Sequence, residues 1–529
     1  MSKSPISDSD CCDYQISCSL PPPPPSEVKG LPFELNGGAQ SLEGMSTILR
    51  IPSPIHNPMH RLTTEISALE IASSESIPTT DKAEASGTQN DDIQRADISR
   101  AIDRIPAELL CEIFTLTFPY MRSVGKYLIE QAPWRLGHVC QTWRVAALAN
   151  PLFWSSITLY APPAGWMGQA CPPLMIETQL IRSGGAPLQV NFDSRHGDII
   201  DCCSPASIDL ILAQSFRWDT ASLRFHRVLA HRLANRLRRV KANIPALRSL
   251  ELISTHNLDS IIGDTFSIAP SLRGVVLTDD EYGFISPKIQ FPWCQLTKFR
   301  GSYHRLSYDC ATILRAAPNL VECGISLSQT SSSAGPPIIL GNLLRLSAIG
   351  DVLSSLVAPA LEELWIYGSA TASFLGFLGR SSCRLRKLVV YDCSDPETLI
   401  PILQTIPTLK TFFVDFERNS DNTGQTALFD ALKLRGGASD MCPNLTRIAA
   451  GGPPRFAIDA FIDMVESRWY TADLPILSFV RAFSHYEMSR RVSANAKARI
   501  DRMRRKELDV ALDLLFERSR YNYLGIDRP

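Results

Sequence analysis

Net charge is almost absent from this sequence: 53 Lys and Arg side chains meet 54 Asp and Glu, leaving a formal −1. Such a balance argues against a general nucleic-acid or membrane-surface binder, both of which rely on a basic excess. Long apolar runs are missing too; no stretch approaches the roughly eighteen or more apolar residues of a spanning helix. The opening MSKSPISDSDCCDYQ is acidic and has no apolar segment, so no secretory signal is expected. Fourteen cysteines occur without one CxxC spacing. Several (Cys111, Cys140, Cys294, Cys323) sit beside hydrophobes, where free thiols act as small core residues. That usage predicts a reducing compartment, cytoplasmic or nuclear, without a disulfide framework.

Recognisable catalytic runs are also lacking. No GxxxxGK[ST], GxSxG, HExxH or GxGxxG pattern is present. The nine histidines are dispersed, and His226 and His231 stand near arginines rather than near a metal-ligand set. The chain is therefore expected to be no enzyme and to hold neither cofactor nor metal. What it does have is bulk: 529 residues, 45% hydrophobic and 20% charged, enough for two or three domains or one domain plus an elongated array.

Residues 1–95 are expected to be disordered, with polyproline II at Pro21–Pro25 and Ser, Thr, Asp, Gly and Gln dominant up to Asp92. The proline run either recruits an SH3- or WW-like module or serves as a stiff spacer. From near Asp97 to Tyr160 the pattern changes. Pro106 suits a first helical turn, and Leu109, Leu110, Ile113, Phe114 and Phe118 recur at helical spacing. A second apolar set (Leu136, Val139, Cys140, Trp143, Ala146, Ala147) ends at Asn150–Pro151, and Leu152, Phe153 and Trp154 follow. Two short helices cannot bury this much apolar surface against each other, so part of it must meet the rest of the chain or a partner.

The blocks Pro106-x-Glu108-Leu109-Leu110-x-x-Ile113-Phe114, Val139-Cys140-x-x-Trp143-Arg144 and Pro151-Leu152-Phe153-Trp154 resemble an F-box, in order, over 97–160. The interval between Phe118 and Trp134 is longer than in the shortest family members. The resemblance implies a small all-α module that docks on a Skp-type adaptor and, through it, a cullin. It implies that Pro106, Leu109, Leu110, Ile113, Phe114, Val139, Cys140, Trp143, Leu152 and Trp154 build or face that interface, some by holding the module together.

Beyond it, a motif repeats. Leading leucines fall at Leu247, Leu272, Leu296, Leu320, Leu361, Leu385, Leu409 and Leu445, with a degenerate copy at Leu343, and steps of 24 or 25 residues recur. Each unit approximates Leu-x-x-Leu-x-Leu, often behind an apolar helical segment. The region 185–485 resembles a divergent leucine-rich-repeat solenoid, an α/β fold with parallel strands and helices on the convex side. A doubly wound α/β domain also alternates strands and helices, but nothing in it requires equal connections. Strands are expected at Leu247–Leu252, Leu272–Leu277, Leu320–Ile325, Leu361–Ile366, Leu385–Val390 and Leu409–Val414. Residues 486–529 are expected to form a basic helical cap, either a solvated face or a docking site for acidic partners.

Positions between the leucines project from the opposite strand face. There, Trp365, Val389 and Phe413 should form one row and Tyr367 and Tyr391 the next, an exposed aromatic surface for a protein target unless a C-terminal helix or loop covers it. The resemblance implies a substrate-recognition subunit of a Skp–cullin–F-box ubiquitin ligase, the array binding a protein target that the sequence leaves open. The alternative is a non-degradative repeat scaffold.

Overall fold

A short strand, a crossover and a further strand laid parallel beside the first is the pattern that recurs among the described residues between Ser156 and Asp513. The computed structural model describes residues 105–117, 133–160, 173–193, 205–225, 235–254, 262–279, 289–302, 310–326, 335–349, 352–368, 371–417, 420, 422–437, 440–452, 456–469, 477–484, 493–505 and 508–513. The expected disordered region 1–95 and the interval between Phe118 and Pro133 lie outside these residues. So does the chain after Asp513.

Among the described residues four short elements come first: α1 (Ala107–Thr117), a 3-10 turn (Arg135–His138), α2 (Gln141–Ala149) and α3 (Pro151–Trp154). The sheet then begins with β1 (Ser156–Tyr160), β2 (Leu188–Asp193), β3 (Trp218–Phe225), β4 (Ser249–Ser254), β5 (Gly274–Asp279), β6 (Lys298–Ser302) and β7 (Glu322–Ser326). It continues through β9 (Arg345–Ile349), β11 (Glu363–Tyr367), β12 (Lys387–Cys393), β13 (Thr411–Phe416), β14 (Arg447–Gly452), β15 (Phe479–Ser484) and β16 (Asp509–Asp513). The intervening β8 (Ile338–Ile339) and β10 (Leu356–Val357) pair only with each other. The main sheet has 14 strands in chain order. Each neighbouring pair is parallel.

Crossover helices line one face: α4 (Pro173–Arg182), α5 (Pro205–Ala213), α6 (Cys310–Ala316), α7 (Thr371–Ser381), α8 (Leu399–Gln404), α9 (Asn422–Leu432), α10 (Ile458–Trp469) and α11 (Ala494–Arg504). Register explains why this face is the core. Leu250, Val275, Phe299, Cys323, Leu346, Leu364, Leu388, Phe412, Ile448 and Val480 stand side by side on consecutive strands, forming one continuous rib. The rib joins Phe374, Phe377, Leu403, Leu428 and Phe461 from the helices in one apolar core. A lone strand–crossover unit could not bury its apolar side, so stacking supplies the missing half of every unit's core.

The observed strands start two residues later than the repeat suggests. Most leading leucines instead close a turn, as where the Leu272 N–H donates to the Ala269 carbonyl (3.1 Å) and that of Leu361 to Ala358 (3.3 Å). The leucine drops into the core; Leu272, Leu361, Leu385 and Leu409 are all fully buried. From β4 to β15 the pairings start from a shared carbonyl, as where Arg386 O accepts from Lys410 N (2.8 Å) and Thr411 N (2.9 Å).

The sheet also outruns the expected 185–485 at both ends. Strand β1 lies inside the segment assigned to the helical module, and β16 replaces part of the expected C-terminal helix. Leu508 and Val510 are buried on either side of exposed Asp509, the alternation of a half-buried strand, and β16 pairs in parallel with β15. Only α11 of the expected helical cap is present among the described residues. Arg499 secures it, reaching Asp463 (2.6 Å) and Glu466 (2.7 Å) of α10.

Candidate functional site

The helical module is built on a few large side chains. Leu110, Phe114, Leu136, Ala146, Ala147, Phe153 and Trp154 form a small core of their own. Phe114 meets the Trp143 ring edge-on at 4.8 Å, and the Trp154 indole donates to the Ala147 carbonyl at 2.8 Å. Asn150 halts α2 in extended conformation, and its Oδ1 accepts from Leu152 N (3.1 Å), starting α3.

That core uses only one stripe of α1. Leu110 and Phe114 point inward, while Leu109 (50% exposed), Ile113 (42%) and Leu116 lie on a second stripe at i, i+4 and i+7 that faces outward. Val139, Val145, Leu148 and Leu152 (63%) are exposed in the same module, and Pro106 is exposed too. The ten residues expected at an adaptor interface therefore divide by position. Leu110, Phe114 and Trp154 form the interior; Cys140 and Trp143 are half-buried; Pro106, Leu109, Ile113, Val139 and Leu152 are accessible.

The second candidate surface lies on the sheet face opposite the described crossover helices. Register brings Trp365, Val389 and Phe413 into one row and sets Tyr367 beside Tyr391. These residues meet as expected, but they are not an open surface. Trp365 and Tyr391 are each 1% exposed; Val389 and Phe413 are equally buried, and Tyr367 is half-buried. With Ala449 and Phe483 they form a closed second core. Strand spacing supplies part of that burial. Rings on neighbouring strands stand about 4.8 Å apart, so they pack on one another: Tyr367–Tyr391 at 5.1 Å, Tyr391–Phe413 at 5.6 Å. Phe413 then reaches across β14 to stack on Phe483 at 5.2 Å and 6°.

That reach depends on two small residues of β14, Ala449 and Gly451, which the sequence reading passed over. A Cβ on Gly451 would stand 2.1 Å from the Phe483 carbonyl oxygen and 2.7 Å from its ring. Gly451→Val should therefore lower the denaturant midpoint by the equivalent of about 1–3 kcal/mol or more through overpacking. An unchanged midpoint would mean that the ring stack does not stabilise the array.

At the strand starts, charge replaces aromatics. Lys298, Glu322, Arg345, Glu363 and Lys387 occupy one row and alternate in sign, with Lys298–Glu322 at 3.0 Å and Arg345–Glu322 at 2.5 Å. The Lys387 ammonium also lies 4.6 Å from the Trp365 ring centroid. The Trp365 Nε1–H is buried without a hydrogen-bond partner. Toward β4–β9 the same face is more open and polar, with Glu251 and Ser347 half-buried and Arg300 exposed.

Burial pushes the thiols of Cys393 and Cys442 up to about 12 and that of Cys383 to about 11, so all three stay protonated at neutral pH and none is a poised nucleophile. Among the described residues no group of three His, Cys, Asp or Glu could hold a metal ion. No helix among them is long and apolar enough to cross a membrane. No family model matches this chain, and no curated protein matches it either.

Proposed function

We propose that the chain is a substrate receptor of a cullin–RING ubiquitin ligase, its helical module an F-box that docks on a Skp-type adaptor and its strand array a leucine-rich-repeat solenoid that holds a protein target. One observation carries the reading. Helix α1 has two apolar stripes, and the F-box-like positions fall on both: Leu110 and Phe114 hold the module, while Leu109 and Ile113 remain outside it. A helix that served only a local hairpin core would have a polar outer face. Such a receptor needs no active site. It contributes proximity and orientation to a transfer carried out by other subunits. The 14 parallel strands in chain order agree with the repeat half of the reading.

The target surface is better sought on the polar, accessible part of the face opposite the described helices, over β4–β9, than on the closed aromatic row. Affinity purification of the full chain tests the proposal. It should bring down a Skp-type adaptor together with a cullin. Other stable partners in the absence of both would favour the scaffold.

A further inference from the structure

The helical module and the sheet do not share a core. Trp154 belongs to the module's apolar cluster, whereas Ile157, three residues on, belongs to that of the sheet. Yet no linker separates them, since α3 ends at Trp154 and β1 begins at Ser156. The relative orientation of the two parts must then be set by what crosses the joint. One side chain dominates that crossing. Arg182, the last residue of α4 in the array, places its guanidinium carbon 4.4 Å from the Trp154 ring centroid and 5.0 Å from that of Trp134. The two indoles stand edge-to-face at 5.0 Å and 89°, so the cation is held against two planes at right angles. Trp134 precedes the module's 3-10 turn and Trp154 ends its last helix, so Arg182 meets two positions of the module that are distant in sequence and adjacent in space. One turn earlier on α4, buried Gln179 donates through Nε2 to the Ser156 carbonyl (2.8 Å), and Gln189 N donates to Ser155 O (2.9 Å).

We propose that Arg182 is a positioning residue: by clamping Trp134 and Trp154 it fixes the helical module on the first strands, so that module and sheet move as one body. The contact suits arginine. A planar, weakly hydrated guanidinium can stack on an aromatic face while keeping its charge, which a strongly hydrated lysine ammonium cannot do. Trp154, one of the residues expected to build or face the adaptor interface, thereby also contributes to the joint. On the receptor reading above, this joint would set the angle at which the target is presented, but the rigidity itself does not rest on that reading.

The test needs no partner. Ketone-bearing residues placed at the exposed positions Glu112 of α1 and Lys410 of the array carry spin labels without competition from native thiols, and electron–electron resonance gives the distance distribution in the full chain. The parent should give one narrow peak. In Arg182→Ala the peak should broaden into several populations while the circular dichroism spectrum stays unchanged, with Arg182→Lys recovering it only in part. If Arg182→Ala fails to fold, Arg182→Gln keeps the stem without the cation and is read the same way. A broad distribution in the parent, or a narrow one that survives loss of the guanidinium, would overturn the proposal. Neither result touches adaptor binding, which is measured separately.

Discussion

Replacing Leu109 and Ile113 together by aspartate should abolish adaptor capture and leave the melting temperature of the chain nearly unchanged. Both side chains lie on the outer stripe of α1 and belong to neither apolar core, so neither core loses a member when they go. In a complex they would be desolvated, and burying an aliphatic side chain of this size is worth about 1.5–3 kcal/mol. Losing two corresponds to a drop in affinity of roughly two to four orders of magnitude. Unpaired carboxylates forced into the interface would add to the loss. Phe114→Ala is the contrasting variant. It empties a fully buried position that meets Trp143 and Phe153, so it should cost about 3–5 kcal/mol and unfold the module. Equal effects of the two variants on both binding and stability would show that the inward and outward stripes are not distinct.

The second large effect concerns the aromatic row. Trp365→Ala with Tyr391→Ala should cause a steep fall in stability. Both rings are enclosed, and each truncation of a buried ring costs on the order of 3–5 kcal/mol. Removing Trp365 also strips the Lys387 ammonium of the ring beneath it. The two positions sit on adjacent strands of one cluster, so the double variant should fall short of the sum of the singles. Urea unfolding of the single and double variants measures this. A midpoint close to that of the parent would instead restore the row as an open binding surface.

These two outcomes mark what could be read from the sequence. The repeat was legible because core ribs demand leucine at a fixed interval, and the parallel order of strands follows from that constancy. Strand starts were displaced by two residues because a leucine closing a turn looks, in sequence, like a leucine opening a strand. The last strand, β16, was obscured because the regular step is lost: Leu477 and Leu508 take the leading position after steps well beyond 24 or 25 residues. Strand alternation placed Trp365, Val389 and Phe413 on one face correctly but says nothing about what lies across that face. The Phe413–Phe483 stack skips a strand, a relation no local pattern encodes. Its only trace is the small-residue run AAGG at 449–452, where the chain leaves room for a neighbour's ring. Arg182 was equally silent, because a basic residue at a helix C-terminus is ordinary in itself. Only the approach of two indoles from elsewhere gives it a role.

Titration calorimetry of the purified full-length chain against a purified Skp-type adaptor tests the central claim most directly. The account predicts a one-to-one complex with a dissociation constant well below micromolar, absent in Leu109→Asp with Ile113→Asp and retained in Trp365→Ala. No heat of binding from the folded parent at tens of micromolar, or binding that the Leu109 and Ile113 variant leaves intact, would contradict it.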